Sequence, residues 1–407
     1  MDMQRNDLSR GGRPAAGSRG MQVALFAHSL VSDWHHGAAH FLRGVLSELA
    51  ARGHSVRGFE PSDGWSRANL LADHGPGALA RFSADFPELP ITTYLPGFDP
   101  AEAVASADLV LVNEWTDPAL VARLGRLRAN GAGFILLFHD SSHRAVTDPD
   151  SLRATDLSGY DGVLAFGATL AEIYRRWGWG ERVYVWHEAA DTRLFRPPDP
   201  EIAREGVAWV GDWGDAARDA NRVDASHAAG LEQFVLAPAQ QAGLALDVYG
   251  VRYPEVARAL LASYGARYRG WLANARVPAC FARHAMTVHV PARPFVRALS
   301  GIPTIRTFEA LACGIPLVSA PWSDLEGLFR PGQDFLFAQD GAAMRTHLAA
   351  LAADPAMRAS LAAHGLATIR ARHTCAHRVD DLLRIVARLT LADARPAKHN
   401  VADVGRA

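Results

Sequence analysis

The chain has 407 residues, 49% hydrophobic and 21% charged, which is a globular composition and a length that favours two domains. Its 42 basic and 43 acidic residues give a net charge of −1, which argues against bulk attraction to nucleic acid or an anionic membrane. No apolar run approaches the roughly 20 residues needed to span a bilayer. Cys280, Cys313 and Cys375 are isolated in the sequence, so we expect no disulfide framework and predict a cytoplasmic location.

Strand and helix patterns alternate along the chain after a polar start. Residues 1–20 are rich in Arg, Gly and Ser and lack the apolar core of a signal peptide, so we predict a disordered tail and leave Met21 open as the start. The alternation that follows favours parallel α/β sheets. In the first half we predict a helix at 38–52 and strands at 22–28, 55–59, 108–113, 133–138, 161–166 and 183–186.

Polar loops follow two of these strands, and open α/β sheets bind ligands at the carboxyl ends of their strands. One loop, residues 29–37, ends in His35, His36 and Gly37; a polar cap for the first helix is its plainer interpretation. The other begins with His139, whose imidazole, with an ordinary pKa of about 6.5, can transfer a proton or bind a sugar hydroxyl. A strand-end histidine that only bonds a neighbouring loop is the alternative there.

In the second half we predict strands and helices in the same alternation, after a stiff linker at Pro197, Pro198 and Pro200. The strands are predicted at 206–210, 245–249, 286–290 and 317–320, and the helices at 305–313, 341–352, 355–370 and 377–391.

The segment 300–321, SGIPTIRTFEALACGIPLVSAP, carries the most specific chemistry. Gly301 lies in a loop and Thr304 is a plausible cap for the helix at 305–313. Gly314 stands where a left-handed helix end is expected. We therefore predict a loop, a short helix, a tight turn and a buried strand in this order.

Arg306 and Glu309 share one face of that helix, close to its N-terminus. An anion can bind at this end of the helix, because the backbone N–H groups, including that of Ile305, are exposed and the helix dipole is positive there. Arg306 adds a permanent cation suited to phosphate, and Glu309 can accept two hydroxyl hydrogens from a ribose. The alternative is a surface ion pair that stabilises the helix by about 0.2–0.5 kcal/mol.

The letters FEALACGIPLVSAP resemble the donor-binding segment of two-domain glycosyltransferases of the GT-B architecture, above all retaining family 4 enzymes and their spore-maturation (CgeB-like) relatives. In these enzymes a helix N-terminus receives the nucleotide diphosphate, and the glutamate of an EAxACGxP pattern holds the ribose. Glu309 falls on that glutamate, and Arg306 matches an arginine common in the CgeB-like subgroup. The resemblance implies two Rossmann-like domains facing across a cleft, with a C-terminal helix that crosses back to the first domain.

The resemblance also suggests roles for residues outside this segment. It places Gly37 in a first loop near the donor phosphates or the acceptor, and it matches His139 by position to an active-site histidine. Residues 268–271 resemble a loop that covers the nucleotide base, on which Trp271 would stack; burial of Trp271 in the core is the alternative. Residues 187–191 resemble the interdomain hinge, which places Glu188 and Asp191 at the cleft unless they only cap local turns.

Two features depart from the family pattern. Family 4 enzymes usually carry an arginine and a lysine just after the turn that Gly211 begins, but the first basic residues here are Arg218 and Arg222. The diphosphate charge would then be met by Arg306, or by Arg293 and Arg297.

The second departure is the acid that usually lies eight positions before Glu309, where this chain has Gly301. Backbone amides of residues 301–305 would then do part of that work. The missing acid leaves the retaining mechanism open.

The resemblance therefore implies a glycosyltransferase that moves a sugar from a nucleoside-diphosphate sugar to a glycan, lipid or protein acceptor. It implies no cofactor and no metal, and we interpret the only Asp-x-Asp, at 148–150, as a turn. A nucleotide-sugar epimerase and a non-catalytic nucleotide-sugar-binding protein remain open. The predicted divisions are a tail at 1–20, an acceptor-side domain at 21–196, a nucleotide-sugar-binding domain at 197–375, a crossover helix at 376–392 and a tail at 393–407.

Overall fold

A computed structural model describes residues 20–198, 202–213 and 225–393. The predicted tails at 1–20 and 393–407 therefore lie outside the described residues, apart from Gly20 and Asp393, and so do Arg218 and Arg222. None of the helices in the described ranges is long and apolar enough to cross a membrane.

The first sheet has seven parallel strands. They are β1 (Gln22–Phe26), β2 (Ser55–Pro61), β3 (Ile91–Tyr94), β4 (Leu109–Asn113), β5 (Ile135–Asp140), β6 (Gly162–Ala165) and β7 (Val183–Val185). Their order across the sheet is β3-β2-β1-β4-β5-β6-β7. Every residue of β4 and β5 is buried, because helices cover both faces of such a sheet, and this explains their continuous apolar runs.

The second sheet has six parallel strands. They are β8 (Val207–Val210), β9 (Leu246–Tyr249), β10 (Arg267–Gly270), β11 (Met286–His289), β12 (Leu317–Ser319) and β13 (Leu336–Phe337). Their order is β10-β9-β8-β11-β12-β13. The strand order reverses between β1 and β4 in the first sheet and between β8 and β11 in the second, and the crevice at such a reversal is where doubly wound folds bind ligands.

Helices connect these strands on both faces. They are α1 (Ala39–Ala51), α2 (Trp65–His74), α3 (Gly77–Asp85), α4 (Pro100–Val104), α5 (Pro118–Ala129), α6 (Arg144–Thr147), α7 (Pro149–Arg153), α8 (Ala168–Tyr174), α9 (Ala225–Leu231), α10 (Ala237–Gln241), α11 (Glu255–Ser263), α12 (Val277–Arg283), α13 (Arg293–Arg297), α14 (Ile305–Ala312), α15 (Gly341–Ala353), α16 (Pro355–Arg372) and α17 (Cys375–Asp393). Short π-helical turns lie at Arg175–Trp179 and Glu232–Leu236, and 3₁₀ turns at Gly180–Arg182 and Asn274–Arg276.

The architecture confirms the predicted pair of Rossmann-like α/β units, the first built on the sheet β1–β7 and the second on the sheet β8–β13, and the crossover helix. α17 packs against α1 of the first unit, where Arg52 Nη1 donates to Asp380 Oδ1 at 2.5 Å. The indole N–H of Trp186 donates to the Arg378 carbonyl of α17 at 2.8 Å. This helix begins at Cys375, two residues before the predicted start.

The structure differs from the predicted elements in several short segments. Residues 268–270 form the edge strand β10 rather than a loop, because their backbone pairs with β9 although their side chains are partly exposed. The edge strand β3 was not predicted either, and its ITTY sequence has little alternation of apolar and polar residues. Residues 148–150 are not a simple turn, because Pro149 opens α7, where proline fits the first helical position.

A buried arginine joins the two units. Arg43 of α1 is 1% exposed, and its guanidinium donates to the Leu30 carbonyl at 2.9 Å, to Asp33 Oδ2 at 3.2 Å and to Asn274 Oδ1 at 3.0 Å. Asn274 belongs to the second unit, and its amide donates to the same Asp33 carboxylate. The centroid of the Phe86 ring lies 4.7 Å from the guanidinium carbon of Arg43.

We predict that Arg43→Ala lowers the free energy of unfolding by about 3–5 kcal/mol, because it leaves the Asp33 carboxylate buried without its cation. Urea-unfolding curves measure this change. Arg384→Ala is the matched control, since the Arg384 side chain is 73% exposed, and it should change stability by less than about 0.5 kcal/mol. Equal effects of the two substitutions would contradict the role given to Arg43.

Candidate functional site

The carboxyl edges of the two sheets meet where the loop after β1 touches the N-terminus of α14. A Cβ added at Gly37 would lie 2.9 Å from Ile305 Cγ2 and 3.5 Å from Arg306 Nη2. A side chain here would push the loop and the helix apart, which explains glycine at this position. The structure thus brings together Gly37, Ile305 and Arg306, three residues that the sequence singled out separately.

The N-terminus of α14 is not capped by a side chain. Thr304 has the extended backbone of an N-cap, but its hydroxyl lies 2.9 Å from Nε2 of His289, the last residue of β11. Nδ1 of the same ring lies 2.9 Å from Ser319 Oγ, and burial lowers the pKa of His289 to about 4. A neutral histidine therefore holds the cap residue in place, and no side chain occupies the first amides of α14. Such amides are the donors that can bind an anion.

Glu309 is fully buried, and its carboxylate has partners from both units. Arg306 Nη1 donates to Oε2 from one turn earlier on α14, and Nδ1 of His40, on the first turn of α1, lies 2.9 Å from Oε1. Burial raises the pKa of Glu309, but the Arg306 charge and His40 outweigh it and hold the pKa below its ordinary value. Glu309 is therefore an ionised carboxylate at the contact between the two units.

A second buried acid lies beside this contact. Glu188, in the loop after β7, is 4% exposed, and burial together with the negative charge of Glu309 raises its pKa to about 8, against the opposing charge of Arg306. Glu188 is therefore mostly protonated at neutral pH and can donate a hydrogen bond. Asp191 was also predicted at the cleft. Its carboxylate accepts from the Arg193 amide at 3.2 Å, so it caps a local turn, as the alternative interpretation predicted.

A second contact between the units joins His35 to Asp212 and Arg252. His35 Nδ1 lies 2.5 Å from Asp212 Oδ2, and Arg252 Nη1 lies 3.3 Å from His35 Nε2. His35 and Arg252 are the non-glycine residues with positive φ in the described ranges, at 55° and 61°. Two such costly backbone conformations in contact are typical of functional sites. Burial raises the pKa of Asp212, but His35, the Val251 amide and Arg306 hold it below its ordinary value.

Packing requires glycine at position 211, and both backbone conformation and packing favour it at position 301. The amide of Gly211 donates to the Tyr249 carbonyl at 2.9 Å, and a Cβ at Gly211 would lie 2.6 Å from Trp209. Gly301 has φ of +97°, and a Cβ there would lie 3.0 Å from Leu325 Cβ. Arg293 and Arg297, the alternative phosphate partners, lie on α13, upstream of the Gly301 loop.

His139 lies inside β5 rather than after it and is 2% exposed. Its ring centroid lies 5.0 Å from that of Trp186 and 6.0 Å from that of Phe41. Neither ring nitrogen has a hydrogen-bond partner in the described ranges, and burial lowers the pKa to about 3. With so low a pKa, His139 is a weak base at neutral pH, which favours hydrogen bonding over proton transfer. The catalytic role of His139 stays a prediction.

Trp271, directly after β10, lies against the first unit. Its ring centroid is 4.7 Å from that of His74 at the end of α2, and it packs on the cluster that contains Trp34 and Leu70. The side chain is only partly buried. The structure thus gives Trp271 a role in the contact between the units, and its stacking on a nucleotide base stays a prediction.

The cysteines are buried and unpaired. Cys280 Sγ lies 3.8 Å from His284 Nδ1, but that nitrogen is 2.8 Å from the Cys280 carbonyl oxygen, and burial raises the pKa of the thiol to about 11. Cys280 therefore has none of the features of an activated nucleophile. In the described ranges, no group of three or more His, Cys, Asp or Glu side chains is arranged to hold a metal ion.

Comparisons with known proteins concern the second half of the chain and the fold. Residues 222–384, which include β9–β13 and α14, match the model of the family described as Glycosyl transferase-like. Sucrose-phosphate synthase from Thermosynechococcus elongatus superposes with a TM-score of 0.61 at 16% identity, over 91% of this chain and 100% of that chain. The fold is that of the GT-B glycosyltransferases.

Two further GT-B structures superpose over 90% of this chain and 100% of their own. They are Anabaena HepE in complex with UDP and glucose, with a TM-score of 0.61 at 13% identity, and an alpha-glucosyltransferase in complex with UDP, with a TM-score of 0.64 at 12% identity. A search of curated protein sequences gave no match.

Sequence reasoning missed His40, Arg252 and His289 at this site. The one available signal was their position in the chain relative to predicted features, because His289 ends a buried strand and His40 stands three residues after Gly37. Arg252 gave no signal, since its importance comes from a backbone conformation and from a contact with the other unit.

The raised pKa of Glu188 predicts a pH-dependent stability. Between the ordinary pKa of about 4.5 and the folded value of about 8, the folded state keeps a proton that the unfolded state loses. Stability should therefore fall as pH rises through this window, by up to about 1.4 kcal/mol per pH unit.

Glu188→Gln should flatten this slope in urea-unfolding curves recorded from pH 5 to pH 8. Glu181→Gln is the control, because the Glu181 side chain is 97% exposed, and it should keep the slope of the unaltered protein. The interpretation is wrong if both variants keep the slope.

Proposed function

We propose that the protein is a glycosyltransferase that moves a sugar from a nucleoside-diphosphate sugar to an acceptor. One observation carries the proposal: the uncapped N-terminus of α14, flanked by Arg306 and Glu309, follows β11 at the point where the strand order of the second sheet reverses. The matched residues 222–384 and the GT-B fold support it. Because HepE and the alpha-glucosyltransferase contain UDP, uridine-diphosphate sugars are the first donors to test.

The diphosphate would bind the amides of Ile305 and Arg306, with the Arg306 guanidinium as its cation. Arg252 follows β9 at the carboxyl edge of the second sheet, where its Nη1 lies 3.3 Å from His35 Nε2, and it would supply a second guanidinium to the diphosphate. Fixed dipoles and guanidinium groups can stabilise a leaving diphosphate as a divalent cation does. We therefore propose transfer without a metal ion.

The ribose would bind the Glu309 carboxylate, whose Oε2 accepts from Arg306 and whose Oε1 is buried 2.9 Å from Nδ1 of His40. Because His40 belongs to the first unit, separation of the units would expose Oε1 to the ribose hydroxyls. Closure over the bound donor would then bring Gly37 and His40 back toward it and exclude water. The acceptor would bind the first unit, near His139 and the loop after β1.

A panel of nucleotide sugars tests the function directly. Purified protein is incubated with UDP-, GDP-, ADP- and dTDP-sugars, with and without candidate acceptors, and the products are identified by mass spectrometry. Transfer or slow hydrolysis with release of a nucleoside diphosphate is the expected result. Conversion of the donor to its epimer, or binding without any turnover, would contradict the proposal.

Glu309→Gln should weaken binding of the released nucleoside diphosphate by about 1–3 kcal/mol, the cost of losing a hydrogen bond to a charged group. Calorimetric titration measures this change. Glu172→Gln, at a side chain that is 59% exposed, is the matched control and should bind as the unaltered protein does. Unchanged affinity in a folded Glu309→Gln variant would refute the ribose role.

Transfer without a metal predicts that EDTA leaves the rate unchanged within about twofold, because arginines and amides would supply the charge. Activity is measured before and after chelation, and again after addition of manganese. Loss of activity on chelation with recovery on manganese addition would show that the reaction needs a metal.

We also propose a family 4-like enzyme, in the CgeB-like subgroup, that retains the anomeric configuration. The EALACGIP segment around Glu309 supports this assignment, and proton NMR of the first product reads the configuration directly. An inverted product would contradict it. The buried, unpaired thiols support a cytoplasmic location, which we propose on that ground.

A further inference from the structure

Two partly exposed tryptophans lie on the first sheet, outside the contacts described so far. Trp65 is 39% exposed and Trp115 is 42% exposed. Trp65 opens α2 after β2, and Trp115 lies in the loop after β4. Because β2 and β4 are the two neighbours of β1, both tryptophans stand at the carboxyl edge of the sheet, around its strand-order reversal.

Both indoles are held around one buried histidine. The ring of His28, two residues after β1, is stacked with that of Trp65 at 5.8 Å, and its centroid lies 6.0 Å from that of Trp115. His28 is 3% exposed, and its Nδ1 has no hydrogen-bond partner in the described ranges. The Arg144 guanidinium lies 4.8 Å from the Trp115 ring. These contacts place the two indoles around His28, and we call the pair the Trp65–Trp115 platform.

Hydrogen-bonding groups border the platform. Asp63 precedes Trp65 by two residues and Asp117 follows Trp115 by two, and both residues are exposed. Asp117 Oδ1 accepts from the Ala119 amide at 3.0 Å as the cap of α5, which leaves Oδ2 for a ligand. The pKa of the buried Tyr94 hydroxyl is raised mainly by burial, and the negative charges of Asp117 and Asp63 raise it further. That hydroxyl has no hydrogen-bond partner in the part of the chain that the structure describes. Aromatic faces and polar groups thus occur side by side.

The platform adjoins the donor side of the cleft. The ring centroid of His35 lies 5.7 Å from that of Trp65, and the same imidazole is paired with Asp212 in the second unit. One side chain therefore separates the platform from the loop that follows β8. A molecule on the platform would therefore lie beside the contact between the two units.

We propose that the Trp65–Trp115 platform binds a pyranose ring of a carbohydrate acceptor. The inference rests on the proposed glycosyl transfer. Pyranose C–H groups carry partial positive charge and stack on the negative face of an indole, while the sugar hydroxyls donate to Asp63 and Asp117. A lipid chain would cover the exposed Asp63 carboxylate without replacing its hydrogen bonds to water, and Asp63 and Asp117 would repel the phosphates of a nucleic acid.

Direct binding measurements test this assignment without a transfer assay. Saturation-transfer NMR is recorded on the full chain with glucose, galactose, mannose, N-acetylglucosamine and their β-linked disaccharides. At least one sugar should bind, and Trp65→Leu should weaken its binding roughly tenfold, equivalent to about 1.4 kcal/mol. Trp65→Phe, which keeps an aromatic face, should stay within about threefold of the unaltered protein.

Trp177→Leu is the matched control, since Trp177 is also a partly exposed tryptophan but packs against Tyr174 and Arg153. It should leave sugar affinity unchanged. Equal sugar affinity in the Trp65→Leu, Trp115→Leu and unaltered proteins would overturn the proposal. So would the absence of binding by any sugar, or Trp65-dependent binding of an alkyl detergent or an oligonucleotide in place of sugars.

UDP affinity, measured in the same samples, separates this proposal from the proposed function. Trp65→Leu should bind UDP as the unaltered protein does, because the platform lies on the acceptor side. If no nucleotide binds while a sugar still binds in a Trp65-dependent manner, the transferase proposal fails and the carbohydrate site stands. If UDP binds and is unaffected while sugar binding does not depend on either tryptophan, the platform proposal fails alone.

Discussion

The buried carboxylate of Glu309 constrains the whole molecule. A charge taken out of water is costly unless cations and hydrogen bonds replace the lost solvation, and here one partner comes from its own helix and the other from the opposite unit. The position of α14 is thus tied to that of α1. The same negative charge helps to keep Glu188 protonated, so the cluster avoids two buried carboxylates side by side.

The fold places this cluster where it can act. In both sheets the strand order reverses beside the first strand, so the loops after β1 and β8 open toward the cleft and meet through His35 and Asp212. The N-terminus of α14 reaches the same region because its cap residue is held by His289 at the end of β11. A donor at α14 and a sugar acceptor on the Trp65–Trp115 platform would then lie on the two units that this contact joins.

The sequence predicted what depends on local chemistry. The bounds of α14 and its end before Gly314 follow from capping and turn residues, and the Arg306–Glu309 pair follows from helical spacing. His40 and Arg252 could not be predicted, because their partners lie far away in the chain and on the other unit. The edge strands β3 and β10 were missed since exposed, polar edge residues carry weak periodicity. Trp271 shows a third limit. The sequence around a tryptophan does not indicate whether its ring stacks on a bound base or packs against another domain.

A crystal structure of the protein with UDP tests the central claim most directly, because that claim is a location for the diphosphate and the ribose. The account predicts the phosphates at the amides of Ile305 and Arg306, the Arg306 guanidinium beside them, and the ribose hydroxyls on Glu309. A nucleotide bound elsewhere, with Glu309 still joined to His40 and its helix N-terminus unoccupied, would contradict it.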